Sequence, residues 1–338
     1  MYTLSVSESE KVLDKIIASG NKRSLMMWGA PGIGKSSIVN QVAKKHKMEV
    51  IDLRLSQLAP TDIRGLPFVE NGVARFAPPS FLPQSGSGIL FLDEINLAAP
   101  AIQNVAMQLV LDRRVGDYVV PDSWFIVSAG NRVEDRAAVN QMPAPLTNRF
   151  NHMTVEVDLV SWKSYAITNG IREEIISFMN FKPNLLHNFS KNAIAWPSPR
   201  TWEMASELLD IGLGVEAAVG EGAASEFNSF KRLYSRLPDV DKILQGDKSV
   251  KAPKEPSLLY AITGSLVSRS QTPENFFNSL KWLLGATTED YCGVFMSDAL
   301  VAVNAKGFRG KFVELLVSDP VTKQFGPKYQ DLLQGVSA

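Results

Sequence analysis

No stretch of this 338-residue chain restricts its fold more than Gly29-Ala30-Pro31-Gly32-Ile33-Gly34-Lys35-Ser36, followed by Ser37. It fits the pattern Gly-x4-Gly-Lys-Ser at every fixed position. Glycines there let successive backbone N–H groups turn inward around phosphate oxygens. An apolar run at 24–28 precedes it and reads as a buried strand. A helical pattern at 35–46 follows, and its N-terminal dipole would face the same anion. Lys35 would set a positive charge on β- and γ-phosphates, and Ser36 would ligate Mg2+. A tight strand-to-helix turn that binds nothing is the bland alternative.

The rest of the first half repeats the alternation. Ser7-Glu8-Ser9-Glu10 reads as a capping box opening a helix, with Val12, Leu13, Ile16 and Ile17 on one face. Further strands are expected at 49–53, 88–92, 124–128 and 153–157, with helical patterns between several of them. That order implies an α/β layer with a parallel sheet. Two segments break the rhythm. Residues 66–76 read as a hairpin turning at Asn71-Gly72. Residues 113–120, then Pro121-Asp122, then Trp124 onward read as a second ribbon; the two inserts fall near 66–76 and 113–122. After residue 157 the pattern becomes helical, and 249–256 (Ser-Val-Lys-Ala-Pro-Lys-Glu-Pro) is the most linker-like stretch. The expected division is an α/β core over 1–157, an all-α region over 158–247 and a C-terminal helical region over 257–338.

Polar residues collect at the ends of the expected strands. Ile89-Leu90-Phe91-Leu92 runs into Asp93-Glu94. With the glycine-rich loop upstream, Asp93 would hold Mg2+ and Glu94 would polarise an attacking water. Phe125-Ile126-Val127-Ser128-Ala129-Gly130 ends on Asn131, which could orient that water or touch the γ-phosphate, though an asparagine after glycine is also a common turn residue. Arg149 lies just before the last strand and Arg200 opens a helix behind Pro199. Either arginine could instead be a solvated surface charge. Other chemistries find no support. His46, His152 and His187 lack metal-ligand spacing. No Gly-x-Ser-x-Gly elbow is present, and no guanine-reading Asn-Lys-x-Asp, which leans the nucleotide toward ATP.

Composition bounds the remaining classes. Acidic and basic residues balance at 35 each, which argues against a domain devoted to non-specific nucleic-acid binding. The single cysteine, Cys292, excludes an internal disulfide and fits a reducing compartment. No apolar run approaches the ~20 residues of a membrane-spanning helix. The start lacks the basic and apolar regions of a secretory signal. These features together give the expectation of a cytoplasmic protein without membrane insertion.

Taken in order, these elements resemble AAA+ ATPases and, more narrowly, the MoxR family. The resemblance rests on residues 29–36, on Gly-Ile-Leu-Phe-Leu-Asp-Glu-Ile-Asn at 88–96, on Ala99-Pro100, Gln103 and Asp112-Arg113-Arg114-Val115. The 66–76 and 113–122 inserts fall where that family carries its own. The resemblance spans about 11–209 and covers the later helices more loosely. It implies nucleotide and metal roles for Lys35, Ser36, Asp93 and Glu94. It also implies a sensor role for Asn131, an arginine finger at Arg149 and a second sensor at Arg200 in a helical lid, with Arg132 and Arg136 close to Asn131. It further implies a hexameric ring, a von Willebrand factor A-type partner and a protein target that is remodelled or activated. Phe68, Phe76, Arg114 and Tyr118 on the inserts are then candidate contacts. Two other readings stay open: a nucleic-acid motor or loader using Arg113 and Arg114, and a nucleotide-gated assembly module with little turnover.

Overall fold

The computed structural model describes residues 2–135, 140–189 and 193–325. The chain divides into two compact units at residues 158 and 159. Among the described residues ten strands, all in the first unit, are numbered in chain order: β1 (Tyr2–Ser5), β2 (Leu25–Trp28), β3 (Glu49–Arg54), β4 (Leu66–Glu70), β5 (Val73–Ala77), β6 (Gly88–Asp93), β7 (Arg114–Val115), β8 (Tyr118–Val119), β9 (Trp124–Gly130) and β10 (Asn151–Glu156).

Six of them form one parallel sheet in the order β1-β10-β2-β9-β6-β3. A parallel sheet needs both faces covered, and β6 shows how the sequence does it. Ile89 and Phe91 face a core shared with Leu13, Ile38, Val39 and Val42 of the helices Val6–Ala18 and Lys35–Lys45. Leu90 and Leu92 face the opposite core with Ile102, Val105, Ala106 and Leu109 of the helix Pro100–Asp112. All four β6 side chains are buried, each contributing about 1.5–3 kcal/mol. The expected α/β core, with its parallel sheet flanked by helices, is what the chain forms.

Two details of the first helix differ from expectation. The capping box is Ser5 with Glu8, two residues earlier than Ser7 with Glu10. Ser5 Oγ accepts the Glu8 N–H at 3.2 Å, and Glu8 Oε2 accepts the Ser5 N–H at 2.8 Å. Both spacings satisfy the sequence pattern. The choice is made by β1, a strand not anticipated, which pairs Tyr2–Ser5 with Met153, Thr154, Val155 and Glu156 and so holds Ser5 extended.

The two inserts lie outside the sheet. β4 and β5 pair antiparallel around Asn71 (φ 53) and Gly72 (φ 77). Positive φ at both central residues is the type I′ geometry that matches strand twist. The second ribbon turns at Gly116-Asp117 between β7 and β8, and Pro121-Asp122 only leads into β9. The Asp117 carboxylate accepts the Phe76 N–H at 2.8 Å, tying one insert to the other. Tyr118 is not an exposed contact: it is 6% exposed and donates its hydroxyl to the Pro83 carbonyl. Burial pushes its phenol up to about 12. Arg113 is likewise engaged, its Nη2 donating to the carbonyls of Pro121 at 2.9 Å and Trp124 at 2.7 Å. It is therefore not free to track a nucleic-acid backbone.

The second unit is helical throughout its described residues. Its helices Leu159–Thr168, Glu173–Phe181 and Glu289–Ala305 share a buried ion pair, Lys163 with Asp298 at 2.6 Å, and Asn180 donates to the same carboxylate. Within 249–256, the Val250 carbonyl accepts the Trp282 indole N–H at 2.8 Å. Among the described residues no helix is long and apolar enough to cross a membrane.

Candidate active site

β2, β9 and β6 are neighbours in the sheet, and each ends in a residue of interest at its carboxyl edge. In open α/β sheets that edge is where ligands sit. The glycine-rich turn leaves β2 at Gly29, and Gly34 caps the following helix with φ 101, a left-handed conformation suited to glycine. Lys35, 9% exposed, folds back over the turn. Its ammonium donates to the carbonyls of Gly29 at 2.7 Å and Ala30 at 2.9 Å and to Asn131 Oδ1 at 3.1 Å. Asn131 follows β9 directly, so this contact joins the ends of two adjacent strands.

Asp93 closes β6. Its Oδ2 lies 3.4 Å from Ser36 Oγ, and its Oδ1 accepts the Glu94 N–H at 2.8 Å. Burial pushes the Asp93 carboxyl above the usual carboxylate range, while the Glu94 N–H and Lys35 pull the other way. Burial raises neighbouring Asp52 as well, and the Asp93 charge adds to that shift. A half-buried carboxylate beside a serine hydroxyl is a hard oxygen donor set. It fits Mg2+, which is bound by one or two carboxylates and completed by phosphate and water.

Glu94 departs from regular backbone, with φ 56. A left-handed non-glycine residue costs roughly 1–3 kcal/mol and persists only where its surroundings fix it. Here Glu94 O accepts from the N–H groups of Leu97 and Ala98. The side chain is held too, because Ser56 Oγ donates to Glu94 Oε2 at 2.5 Å. Ser56 lies in the short turn Leu55–Gln57 that continues β3. Nothing in its sequence context marks it.

Asn96, buried at 3%, is the other residue the sequence left without a role. Its Nδ2 donates to the Asn131 carbonyl at 2.7 Å and its Oδ1 accepts the Asn131 N–H at 3.1 Å. A Cβ on Gly130 would stand 2.6 Å from Asn96 Oδ1, so only glycine leaves room for the amide. The signal was present as an asparagine three residues beyond Asp93, within the 88–96 segment.

The arginines are placed elsewhere. Arg149 is exposed, between the helix Ala144–Thr147 and β10. Asn151 pairs with Leu25, the first residue of β2. Arg149 therefore stands at the amino edge of the parallel strands, about 13 Å of strand rise from the glycine-rich turn. Among the described residues no ion pair involves it. Arg132 is bound within its own chain, at 2.9 Å to Asp135 and 3.3 Å to Glu156. Arg136 lies outside the described residues. Arg200 is exposed on the first turn of the helix Pro199–Asp210 in the second unit, behind a capping box of Ser198 and Thr201.

Residues 24–150 match the AAA domain, dynein-related subfamily. The AAA match begins one residue before β2 and ends on Phe150, so it takes in the glycine-rich turn, Asp93, Glu94, Asn131 and Arg149. Within the chain, 97 residues are 29% identical to the replication factor C small subunit of Methanocella arvoryzae, covering 29% of this chain and 30% of that protein. Another 99-residue match is 28% identical to replication factor C subunit 3 of Saccharomyces cerevisiae, covering 29% of each. The chain thus spans less than a third of the length of these relatives. Among solved structures, NtrX from Brucella abortus in complex with ADP is similar with a TM-score of 0.42 and 14% identity, over 96% of this chain and 68% of that one. The Holliday junction branch migration motor RuvB of Thermotoga maritima is similar with a TM-score of 0.40 and 16% identity, over 85% of each chain.

Proposed function

We propose that this chain binds ATP with Mg2+ and hydrolyses the β–γ bond at subunit interfaces of a ring. One observation carries the reading. Lys35, Ser36, Asp93, Glu94 and Asn131 gather at the carboxyl edge of β2, β6 and β9, while Arg149 stands at the amino edge of β10. The backbone of 29–34 and Ser37 cradles the phosphates, and the Lys35 ammonium neutralises them. Ser36 and Asp93 would hold the Mg2+, which would supply charge neutralisation for phosphoryl transfer. Glu94 orients the attacking water, and Asn131 fixes Lys35 and the γ-phosphate end of the site. Arg149, too far along the sheet to serve its own nucleotide, completes the site of a neighbour. Arg200, on the first turn of the helix Pro199–Asp210, is the second-sensor arginine of this reading.

The MoxR-like part of the reading rests on the 88–96 and 112–115 segments and on the two inserts. It describes a hexamer that remodels or activates a protein target with a von Willebrand factor A-type partner. The β4–β5 hairpin supports a contact role, because Leu66, Phe68, Val69 and Val73 are exposed on it. The likeness to replication factor C subunits favours a second reading, in which the same ATPase acts on nucleic acid. The charge balance and the engagement of Arg113 weigh against it. The presence of Glu94 weighs against a binding-only assembly module, which has no use for a water-orienting carboxylate.

The test is ATP turnover against protein concentration, with mass measured in parallel with and without ATP and Mg2+. Specific activity should rise as a hexamer-sized species forms. Turnover that is independent of concentration in a monomer would remove the ring and the shared site. Turnover stimulated by DNA, and lost steeply with added salt, would favour the nucleic-acid reading.

A further inference from the structure

Trp28 is the last residue of β2, directly before Gly29. Its indole Nε1 donates to His152 Nδ1 at 2.9 Å. An indole N–H can only donate, so Nδ1 accepts and the imidazole proton sits on Nε2. That nitrogen donates in turn to the Thr147 carbonyl at 2.7 Å. Thr147 ends the short helix Ala144–Thr147, two residues before Arg149. The two rings lie nearly parallel, with centroids 6.1 Å apart and an interplanar angle of 14°, and Phe150 packs edge-on to the imidazole.

The run of these bonds along the sheet is what gives them meaning. Trp28 pairs in register with Thr154 and His152 with Met26, so the indole reaches diagonally back toward the start of β10. The bonded chain therefore leads from the carboxyl edge, where the glycine-rich turn begins, to the amino edge, where Arg149 is carried. Both side chains are only half-buried. Packing of a core would be served as well by apolar residues. The β2–β10 ladder already sets the register; a donor, a ring with one acceptor and one donor, and a carbonyl in sequence add a directional link between the two edges that apolar packing would not supply.

We propose that Trp28 and His152 are positioning residues that couple the phosphate-binding turn to the Arg149 segment, so that the state of a subunit's own nucleotide sets how it presents Arg149 to its neighbour. This rests on the trans role of Arg149 proposed above. It predicts a kinetic signature distinct from that of a residue serving its own site.

The experiment uses the full chain carrying His152→Gln, His152→Asn or Trp28→Phe, with thermal unfolding checked for each. Gln can keep the bond to Thr147 but not the one from Trp28. Asn can keep the acceptor for Trp28 but not the bond to Thr147. Phe keeps the packing and loses the donor. Each should lower kcat about tenfold and leave the ATP Kd within about twofold. A merely local role in holding Thr147 predicts instead that Gln is as good as His. Mixed assemblies then locate the defect. A subunit carrying His152→Gln should regain turnover when mixed with Glu94→Gln, which keeps its own arginine segment intact. It should gain nothing from Arg149→Ala. The opposite pattern, rescue by Arg149→Ala alone, would put the defect in the subunit's own phosphate turn and overturn the proposal, as would an unchanged kcat. The control mixture of Arg149→Ala with Glu94→Gln tests the underlying reading separately: if it stays inactive, the trans role fails and this proposal falls with it.

Discussion

The side-chain amide of Asn96 pairs with both backbone polar groups of Asn131, donating at 2.7 Å and accepting at 3.1 Å. In effect it adds one more ladder rung beyond the ends of β6 and β9. The rung fixes the residue whose own side chain meets Lys35 at 3.1 Å.

Breaking that clamp should be costly and specific. Asn96→Ala leaves a buried N–H and a buried carbonyl without partners, a loss of about 1–3 kcal/mol of stability. Asn96→Asp is expected to be worse, because a carboxylate oxygen replaces the Nδ2 donor and faces the Asn131 carbonyl. Gly130→Ala should resemble Asn96→Ala, since its Cβ would stand 2.6 Å from Asn96 Oδ1 and 2.7 Å from Met26 Cε. In all three, kcat should fall at least tenfold. Denaturant titration and steady-state kinetics check the set, and wild-type turnover in Asn96→Asp would refute the role given to the clamp.

Ser56 and Glu94 make an opposed pair of predictions. Glu94→Gln should retain ATP binding and lose turnover by about 10²-fold or more, the scale of a general-base contribution. Ser56→Ala should raise basal turnover several-fold, because the hydroxyl that holds Glu94 Oε2 at 2.5 Å is removed. Phosphate release assays at saturating ATP read both. If Ser56→Ala is slower than wild type, Ser56 aims the carboxylate rather than restraining it.

Arg149→Ala should lower kcat about 10³-fold, the lower end of what an arginine finger contributes. ATP affinity should stay within about twofold, because the side chain stands at the far edge of the sheet from its own nucleotide turn. A large loss of affinity in isolated subunits would instead place Arg149 in its own site.

Asp93 sets activity against stability. Burial holds its folded-state carboxyl above the ordinary range, so the folded chain binds that proton more tightly than the unfolded chain. The contribution of this group to stability is full below the ordinary carboxylate value and is lost as pH rises through the raised one. At neutral pH the ionised carboxylate is therefore a liability until a cation joins it. Asp93→Asn should melt above wild type at pH 7 without nucleotide, and the gap should close on acidification. It should also lose turnover by about 10²-fold and lose any stabilisation by added Mg2+ with ATP. Equal melting temperatures at pH 7 would contradict this account.

Much of the fold was legible because it is written in local chemistry. The alternation of apolar strand and amphipathic helix, the Gly29–Ser36 pattern and the Asn71-Gly72 turn each depend on a few neighbouring residues. The strand ending at Asp93 and the one leading into Asn131 were read for the same reason. What failed also failed locally. Ser5 and Ser7 offer equivalent capping boxes, and only the pairing of β1 with β10 chooses between them. Tyr118 and Arg113 looked like surface contacts on a ribbon, but the carbonyls of Pro83, Pro121 and Trp124 claim them.

The sequence by itself determined which groups are available: a phosphate-sized turn with its lysine and serine, two carboxylates closing a strand, and arginines ahead of β10 and at a helix start. Tertiary structure alone decided which of them meet. Sheet order set β2 between β9 and β10, bringing Asn131 to Lys35 and leaving Arg149 at the opposite edge. It also enlisted Ser56, Asn96, Trp28 and His152, whose types carry no signal of their own. Their partners lie 38, 35 and 124 residues away. A hydrogen bond across such a separation exists only after the parallel strands are in register, because register, not sequence distance, fixes which side chains share an edge.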